Sequence, residues 1–276
     1  MPENLKYYII LIAISTVILL GVFKITSNTQ KRNSESQKIT HPAWPVPGDY
    51  FNLKNWKLTL PKDTDEIDGD PDEIEQPDLN NFTNEFFFFE KEKGAMVFKA
   101  PVNGGKTDNT NYSRSELREL PNNGDWKSSE GTHSMEIEQA VTHLPINKPH
   151  VVIGQIHDDD DDVYVFRLEG SKLYANADGD DNDITFTDSY KLKDKFKVKF
   201  EVENNETKVY YNDQLMHTMK KDYSDAYFKT GAYVQASCTY SSSDDFEKEN
   251  CGDEDNIPYA QVEIYFLEIC HNGKCE

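Results

Sequence analysis

Across residues 56–269, short runs of alternating or β-branched residues recur with turn signals between them, and this constrains the fold more than any other feature. The runs are 56–60, 95–100, 134–139, 151–157, 163–168, 195–203, 208–211, 227–235 and 261–269. Few stretches carry the 3.6-residue period of an amphipathic helix. Many short strands with few helices predict an all-β fold, a β-jelly roll sandwich of two antiparallel sheets. A chain of 276 residues is long enough for one such domain, with sufficient core to stand as a monomer without metal.

Three segments place their polar groups on alternate positions. In Arg114-Ser115-Glu116-Leu117-Arg118, period-2 geometry sends Arg114, Glu116 and Arg118 to one face of a strand. Gln155 and His157 share a face around Ile156. Tyr227, Lys229, Tyr233 and Gln235 share one around Phe228, Thr230, Ala232 and Val234. A sheet with cations, an amide, an imidazole and phenols on one side and apolar residues on the other reads as an active-site floor over a core. Taken singly, each segment also fits a surface ion-pair ladder or a structural histidine. Together they supply what proton removal beside a carboxylate needs: a cation or amide to neutralise charge, a base, and an acid for the leaving oxygen. Arg114 and Gln155 suit the first role, His157 and Tyr227 the others.

The formal charge of −21 excludes a nucleic-acid partner, which needs a basic footprint. It does not exclude an anionic ligand, because charge acts within about 8 Å at physiological salt. Only Arg32, Arg114, Arg118 and Arg167 supply guanidinium groups, and two of the four lie in the first polar-faced segment.

An apolar run over residues 7–23, flanked by Lys6 and Lys24, reads as a signal anchor within residues 1–24, with a cleaved signal peptide as the alternative. Residues 25–44 are polar and read as a flexible tether, leaving 45–276 as the folded domain. Lys24, Lys31 and Arg32 would keep the far side of the anchor cytoplasmic, whereas the cysteines argue for an extracellular or lumenal domain, anchored or secreted. Cys238, Cys251, Cys270 and Cys275 are the only cysteines. Short loops favour pairing Cys238 with Cys251 and Cys270 with Cys275; a zinc site is the competing reading, although no CxxC spacing is present.

Phe86-Phe87-Phe88-Phe89 reads as core or edge packing rather than a sugar platform. The acidic run from Asp158 to Asp162 reads as a solvated turn rather than a calcium loop, and Asp178 to Asp183 as a hairpin loop.

Asn55-Trp56-Lys57-Leu58-Thr59-Leu60-Pro61, Ser113-Arg114-Ser115-Glu116-Leu117-Arg118-Glu119, Gln155-Ile156-His157 and Tyr227-Phe228-Lys229-Thr230-Gly231-Ala232-Tyr233-Val234-Gln235 resemble, in order, the signatures of the alginate lyases of polysaccharide lyase family 7. The resemblance covers nearly all of the chain from about residue 45 to 271. It implies a jelly roll whose concave sheet binds a uronate polymer, and β-elimination at a 1,4-glycosidic bond. It further implies that Arg114 and Gln155 neutralise the uronate carboxylate, that His157 takes the C5 proton, and that Tyr227 protonates the leaving oxygen. With mannuronate, Tyr227 serves as both base and acid. Glu116, Arg118, Lys229, Tyr233 and Gln235 become substrate-binding or supporting residues, with Glu116 holding Arg114 and Arg118. No metal or organic cofactor is implied, and Ile156 goes with acceptance of guluronate-containing blocks. Thr230 stands where the family often has a small residue, and the acidic run after His157 is unusual beside a cleft for a polyanion. Another polyuronate such as glucuronan, a non-catalytic carbohydrate-binding jelly roll, and a hydrolase recruiting Glu116, Glu136 and Glu138 are the competing readings.

Overall fold

The structure is a computed structural model that describes residues 44–63, 70–107, 110–120, 125–159, 161–177, 183–241, 247–252 and 256–276. The apolar run and residues 25–43 of the tether lie outside the described residues; Trp44 is described, its ring 4.4 Å from that of Phe88. Among the described residues no helix is long and apolar enough to cross a membrane.

Among the described residues sixteen strands form two antiparallel sheets. In chain order they are β1 (Trp56–Thr59), β2 (Glu73–Ile74), β3 (Phe87–Glu90), β4 (Ala95–Pro101), β5 (Arg114–Glu119), β6 (Thr132–His143), β7 (His150–His157) and β8 (Asp162–Glu169). They continue with β9 (Lys172–Ala177), β10 (Ile184–Thr187), β11 (Phe196–Glu203), β12 (Glu206–Tyr211), β13 (Gln214–Lys220), β14 (Tyr227–Val234), β15 (Tyr259–His271) and β16 (Lys274–Cys275). The first sheet runs β10-β9-β8-β7-β14-β5-β1-β2, and the second β13-β12-β11-β6-β15-β4-β3 with β16 on β15. All three polar-faced segments therefore sit side by side at the centre of the first sheet, as β5, β14 and β7.

Alternation explains the layering. Along β5, β7 and β14 the residues between the polar positions, Leu117, Ile156, Phe228, Ala232 and Val234, are fully buried against the second sheet. Phe200 of β11 lies between the sheets, with its ring stacked 4.2 Å from that of Phe166 and 6.3 Å from that of Phe228. Each of these leucine, isoleucine, valine and phenylalanine side chains contributes roughly 1.5–3 kcal/mol on burial. Thr230 also faces inward, where its hydroxyl donates to the Ile153 carbonyl at 3.1 Å. The phenylalanine run forms edge strand β3, with Phe87, Phe88 and Phe89 buried, so it is packing.

Turn chemistry closes the hairpins. Asn204-Asn205 and Asn212-Asp213 all have positive φ, as two-residue turns matching the right-handed twist of their strands require. The acidic run from Asp158 joins β7 to β8, and Asp183 leads into β10; residues 160 and 178–182 lie outside the described set. Both disulfides follow the short-loop pairing, Cys238–Cys251 and Cys270–Cys275. The second links directly opposed residues of β15 and β16. With these sulfurs bonded to each other, the zinc reading loses its thiolates.

Gly231 is the backbone position the central sheet cannot replace. Its φ is +142°, and a Cβ there would lie 2.5 Å from the Ser115 carbonyl oxygen and 2.8 Å from Glu116 Cα. Gly231→Ala is therefore expected to lower unfolding stability by about 2 kcal/mol or more. Chemical denaturation measures this, and an unchanged midpoint would refute the steric account.

Candidate active site

Register decides which side chains meet. One rung across β1, β5, β14 and β7 carries Lys57, Arg118, Lys229 and Gln155. A second sets Tyr227 of β14 opposite His157 of β7, which in turn faces Asp162 of β8. Arg114 lies opposite Tyr233, and Glu116 opposite Gly231. Because Gly231 has no side chain, the long groups on neighbouring rungs can reach over it to Glu116.

Glu116 is the hub. It is only 1 % exposed although it points away from the core. Its Oε2 lies 2.9 Å from Arg114 Nη1 and 2.9 Å from Lys229 Nζ, while Gln155 Nε2 donates to its Oε1. Burial pushes the Glu116 carboxyl up, but Lys229 and Arg114 outweigh it and hold the group below the usual carboxylate range. Burial also lowers the Lys229 ammonium, only partly offset by Glu116. For Arg114 burial is outweighed by Glu116 and Tyr233, so its charge is reinforced. The expected pairing of Glu116 with both arginines is thus corrected: it holds Arg114, Lys229 and Gln155, while Arg118 lies with Cζ 3.9 Å over the Tyr227 ring. A guanidinium over an aromatic face keeps its charge without a carboxylate partner. Arg114 makes a similar contact, 3.8 Å over Tyr233.

Beside this cationic hub the rings of His157 and Tyr227 stack, with centroids 5.3 Å apart and planes 10° from parallel. His157 Nδ1 faces the Asp158 carbonyl oxygen, an acceptor only, so Nδ1 carries the proton and the Nε2 lone pair is free. Asp162 Oδ1 lies 3.8 Å from that Nε2. Burial pushes the Tyr227 phenol up, with Arg118 opposing, so it stays protonated at neutral pH.

Of the remaining expected residues, Tyr233 extends the polar face, its hydroxyl 2.5 Å from Thr110 Oγ1. Gln235 lies just beyond β14, and its amide donates to the carbonyls of Tyr233 at 3.5 Å and Val234 at 3.4 Å. Two residues escaped the sequence reading. Lys57, held by Glu73 at 2.6 Å, joins the cationic rung, and its presence in the first signature was the available signal. Asp162 was read only as part of a solvated run; its contact with His157 comes from strand pairing. Glu136 and Glu138 lie on β6 of the other sheet, within reach of Lys197, Lys199 and Lys195, so they cannot flank a bond together with Glu116. That removes the hydrolase reading.

Removing Glu116 leaves two buried cations, Arg114 and Lys229, without their carboxylate. Glu116→Ala is expected to destabilise the fold by about 3–5 kcal/mol. The folded carboxyl titrates lower than the unfolded one, so its contribution is full above the ordinary value of about 4.3 and disappears as pH falls through the folded value. Denaturation at several pH values should show that acid slope in the wild type and a shallower one in Glu116→Gln; equal slopes would contradict the hub assignment.

The family model for alginate lyase matches residues 51–271. The crystal structure of the alginate lyase from Corynebacterium sp. is similar with a TM-score of 0.74 and 39% identity, covering 83% of this chain and 99% of that one. Alginate lyase AlgAT5 from polysaccharide lyase family 7 is similar with a TM-score of 0.71 and 38% identity, covering 82% and 98%. An alginate lyase of Klebsiella pneumoniae is 48% identical over 85 residues, a match spanning 30% of this chain and 27% of that protein. Every strand from β1 to β15, and so all of the polar face, lies within the matched region, and the chain belongs to the alginate lyase family, polysaccharide lyase family 7.

Proposed function

We propose that the domain is a polyuronate lyase acting on alginate by β-elimination. The observation that carries this reading is the convergence of Arg114, Lys229 and Gln155 on Glu116 beside a stacked His157–Tyr227 pair. Arg114 and Gln155 keep further N–H donors with which to bind the substrate carboxylate. Neutralising that carboxylate acidifies the C5 proton. His157 Nε2 takes the proton, the C5–H electron pair forms the C4=C5 double bond, and the C4–O bond breaks. Tyr227 gives its proton to the departing oxygen, leaving an unsaturated uronate at the new non-reducing end. Asp162 stabilises the imidazolium formed on His157. Arg118, Lys229, Tyr233 and Gln235 line or support the bound polymer.

Acceptance of guluronate blocks is part of this reading, through a position opposite His157 for the C5 proton. Ile156 itself is fully buried in the core, so any influence it has on block choice passes through the strand. Residues 1–24 act as a signal anchor or signal peptide, 25–44 as a tether and 45–276 as a monomeric lyase domain outside the cytosol. Support comes from the apolar run and from two disulfides, which suit an oxidising compartment.

Incubation with alginate, polymannuronate, polyguluronate and glucuronan, followed by ultraviolet absorbance of the conjugated product, tests the reading. Alginate or its guluronate blocks should give the signal. Binding without absorbance would indicate a carbohydrate-binding module, and a signal with glucuronan alone would move the substrate class. His157→Ala and Tyr227→Phe should each lower kcat by roughly 100- to 10,000-fold with the fold retained.

The pH profile supplies a separate check. Because the Tyr227 phenol is held above its ordinary value of about 10, the alkaline loss of activity from deprotonating it should fall above that pH. A limb below it, absent from a Tyr227 variant with residual activity, would contradict the assignment.

A further inference from the structure

Glu119, at the end of the second signature, has no part in the reaction described above, and its environment is unusual. It is 0 % exposed and faces the core side of β5. Its Oε2 accepts the Phe228 backbone N–H at 3.0 Å and the Trp126 indole N–H at 3.2 Å. Its Oε1 lies 2.5 Å from His271 Nε2 on the opposite sheet. His271 Nδ1 is 2.7 Å from His133 Nδ1, and His133 Nε2 is 2.7 Å from the Glu130 carbonyl oxygen.

The protons in this chain can be counted. The Glu130 carbonyl only accepts, so His133 Nε2 carries a proton. Burial holds His133 below the ordinary imidazole range, so the ring is neutral and its Nδ1 accepts. His271 Nδ1 must then donate. The contact between His271 Nε2 and Glu119 Oε1 holds one further proton, so the pair is either imidazolium with carboxylate or imidazole with carboxylic acid. In both forms Oε2 remains an acceptor for its two N–H donors.

Those donors flank the proposed proton donor. The β5–β14 register runs only from Tyr233 to Lys229, and at the next residue, Phe228, the N–H goes to the Glu119 side chain. On the other side, Ala226 and Trp126 exchange backbone hydrogen bonds of 2.8 and 3.0 Å. Tyr227 thus sits between two residues that are both tied to the Glu119–Trp126 unit. Its own ring emerges on the far face, between Arg118 and His157.

We propose that Glu119, braced by His271 and His133, is a positioning residue that fixes Tyr227 against His157 through hydrogen bonds on the core side of the sheet. This rests on the reading of Tyr227 as the proton donor. What matters in this arrangement is reach and hydrogen bonding rather than the charge. A glutamine at 119 satisfies every contact, its oxygen accepting from Phe228 and Trp126 and its amide donating to His271 Nε2. An aspartate keeps the charge and loses the reach.

The test compares Glu119→Gln and Glu119→Asp in alginate kinetics, with thermal melting to verify folding. Glu119→Gln should retain kcat within about 3-fold, whereas Glu119→Asp should lose roughly 10- to 100-fold in kcat with KM changed less than about 3-fold. A wild-type kcat in Glu119→Asp, an equal loss in both variants, or a loss confined to KM would overturn the proposal. Should Glu119→Asp fail to fold, His271→Ala removes the brace at a position only 25% exposed. It should then lower kcat about 5-fold or more at constant KM, and an unchanged kcat would overturn the proposal. Tyr227→Phe separates the two readings. Full activity in that variant removes the role of Tyr227 itself, while an inactive Tyr227→Phe beside a fully active Glu119→Asp removes only the role of Glu119.

Discussion

A carboxylate buried on the outward face of a sheet is stable only if cations and donors are brought to it, and the site depends on how this is done at Glu116. Arg114 lies two residues away on the same strand, Lys229 comes from the adjacent strand β14, and Gln155 reaches across from β7, one strand farther. Diagonal neighbours across strands stand about 7–8 Å apart, within reach of long side chains. The residue directly opposite Glu116 is Gly231, so nothing blocks that reach. The same interaction that makes Glu116 tolerable fixes an arginine and an amide whose remaining donors are available to an anionic ligand. Structural need and the proposed binding function are met by one set of contacts.

The stacked His157–Tyr227 pair draws on different physics on each side. His157 takes its tautomer from a backbone carbonyl in the turn after β7, and the acid nearest its free nitrogen comes from the start of β8. The acidic run after His157 is therefore part of the site's construction at both ends, which accounts for some of the negative charge so close to the candidate site. Tyr227 is held protonated by burial and is covered by Arg118, a cation that does not need Glu116. Dividing the cations in this way, two on the carboxylate and one on the phenol, leaves each with a distinct electrostatic task.

Most long strands could be read from period-2 alternation, because residues such as Leu117, Ile156 and Phe228 must all face one core. The strands that escaped, β2, β3, β9, β10, β13 and β16, are short, lie towards the sheet edges or lack a clean buried face. β13 illustrates this, since its residues are mostly half-exposed or exposed and carry little apolar signal. Candidate site residues were legible for the same reason as the strands. Their partners were not: whether Glu116 takes Arg118 or Lys229 depends on register, which alternation leaves free by any even number of residues.

The sequence by itself determined that the chain is an all-β sandwich and that the polar sets of 114–118, 155–157 and 227–235 each share a face, and its short loops favoured local cysteine pairs. These follow from local rules of strand period and loop length. Only the tertiary structure decided that β5, β14 and β7 are adjacent, that Glu136 and Glu138 belong to the opposite sheet, and that Glu119 meets His271 across the core. The last contact joins residues 152 positions apart. No local preference encodes such a pairing, because it exists only once the two sheets have closed on a common core.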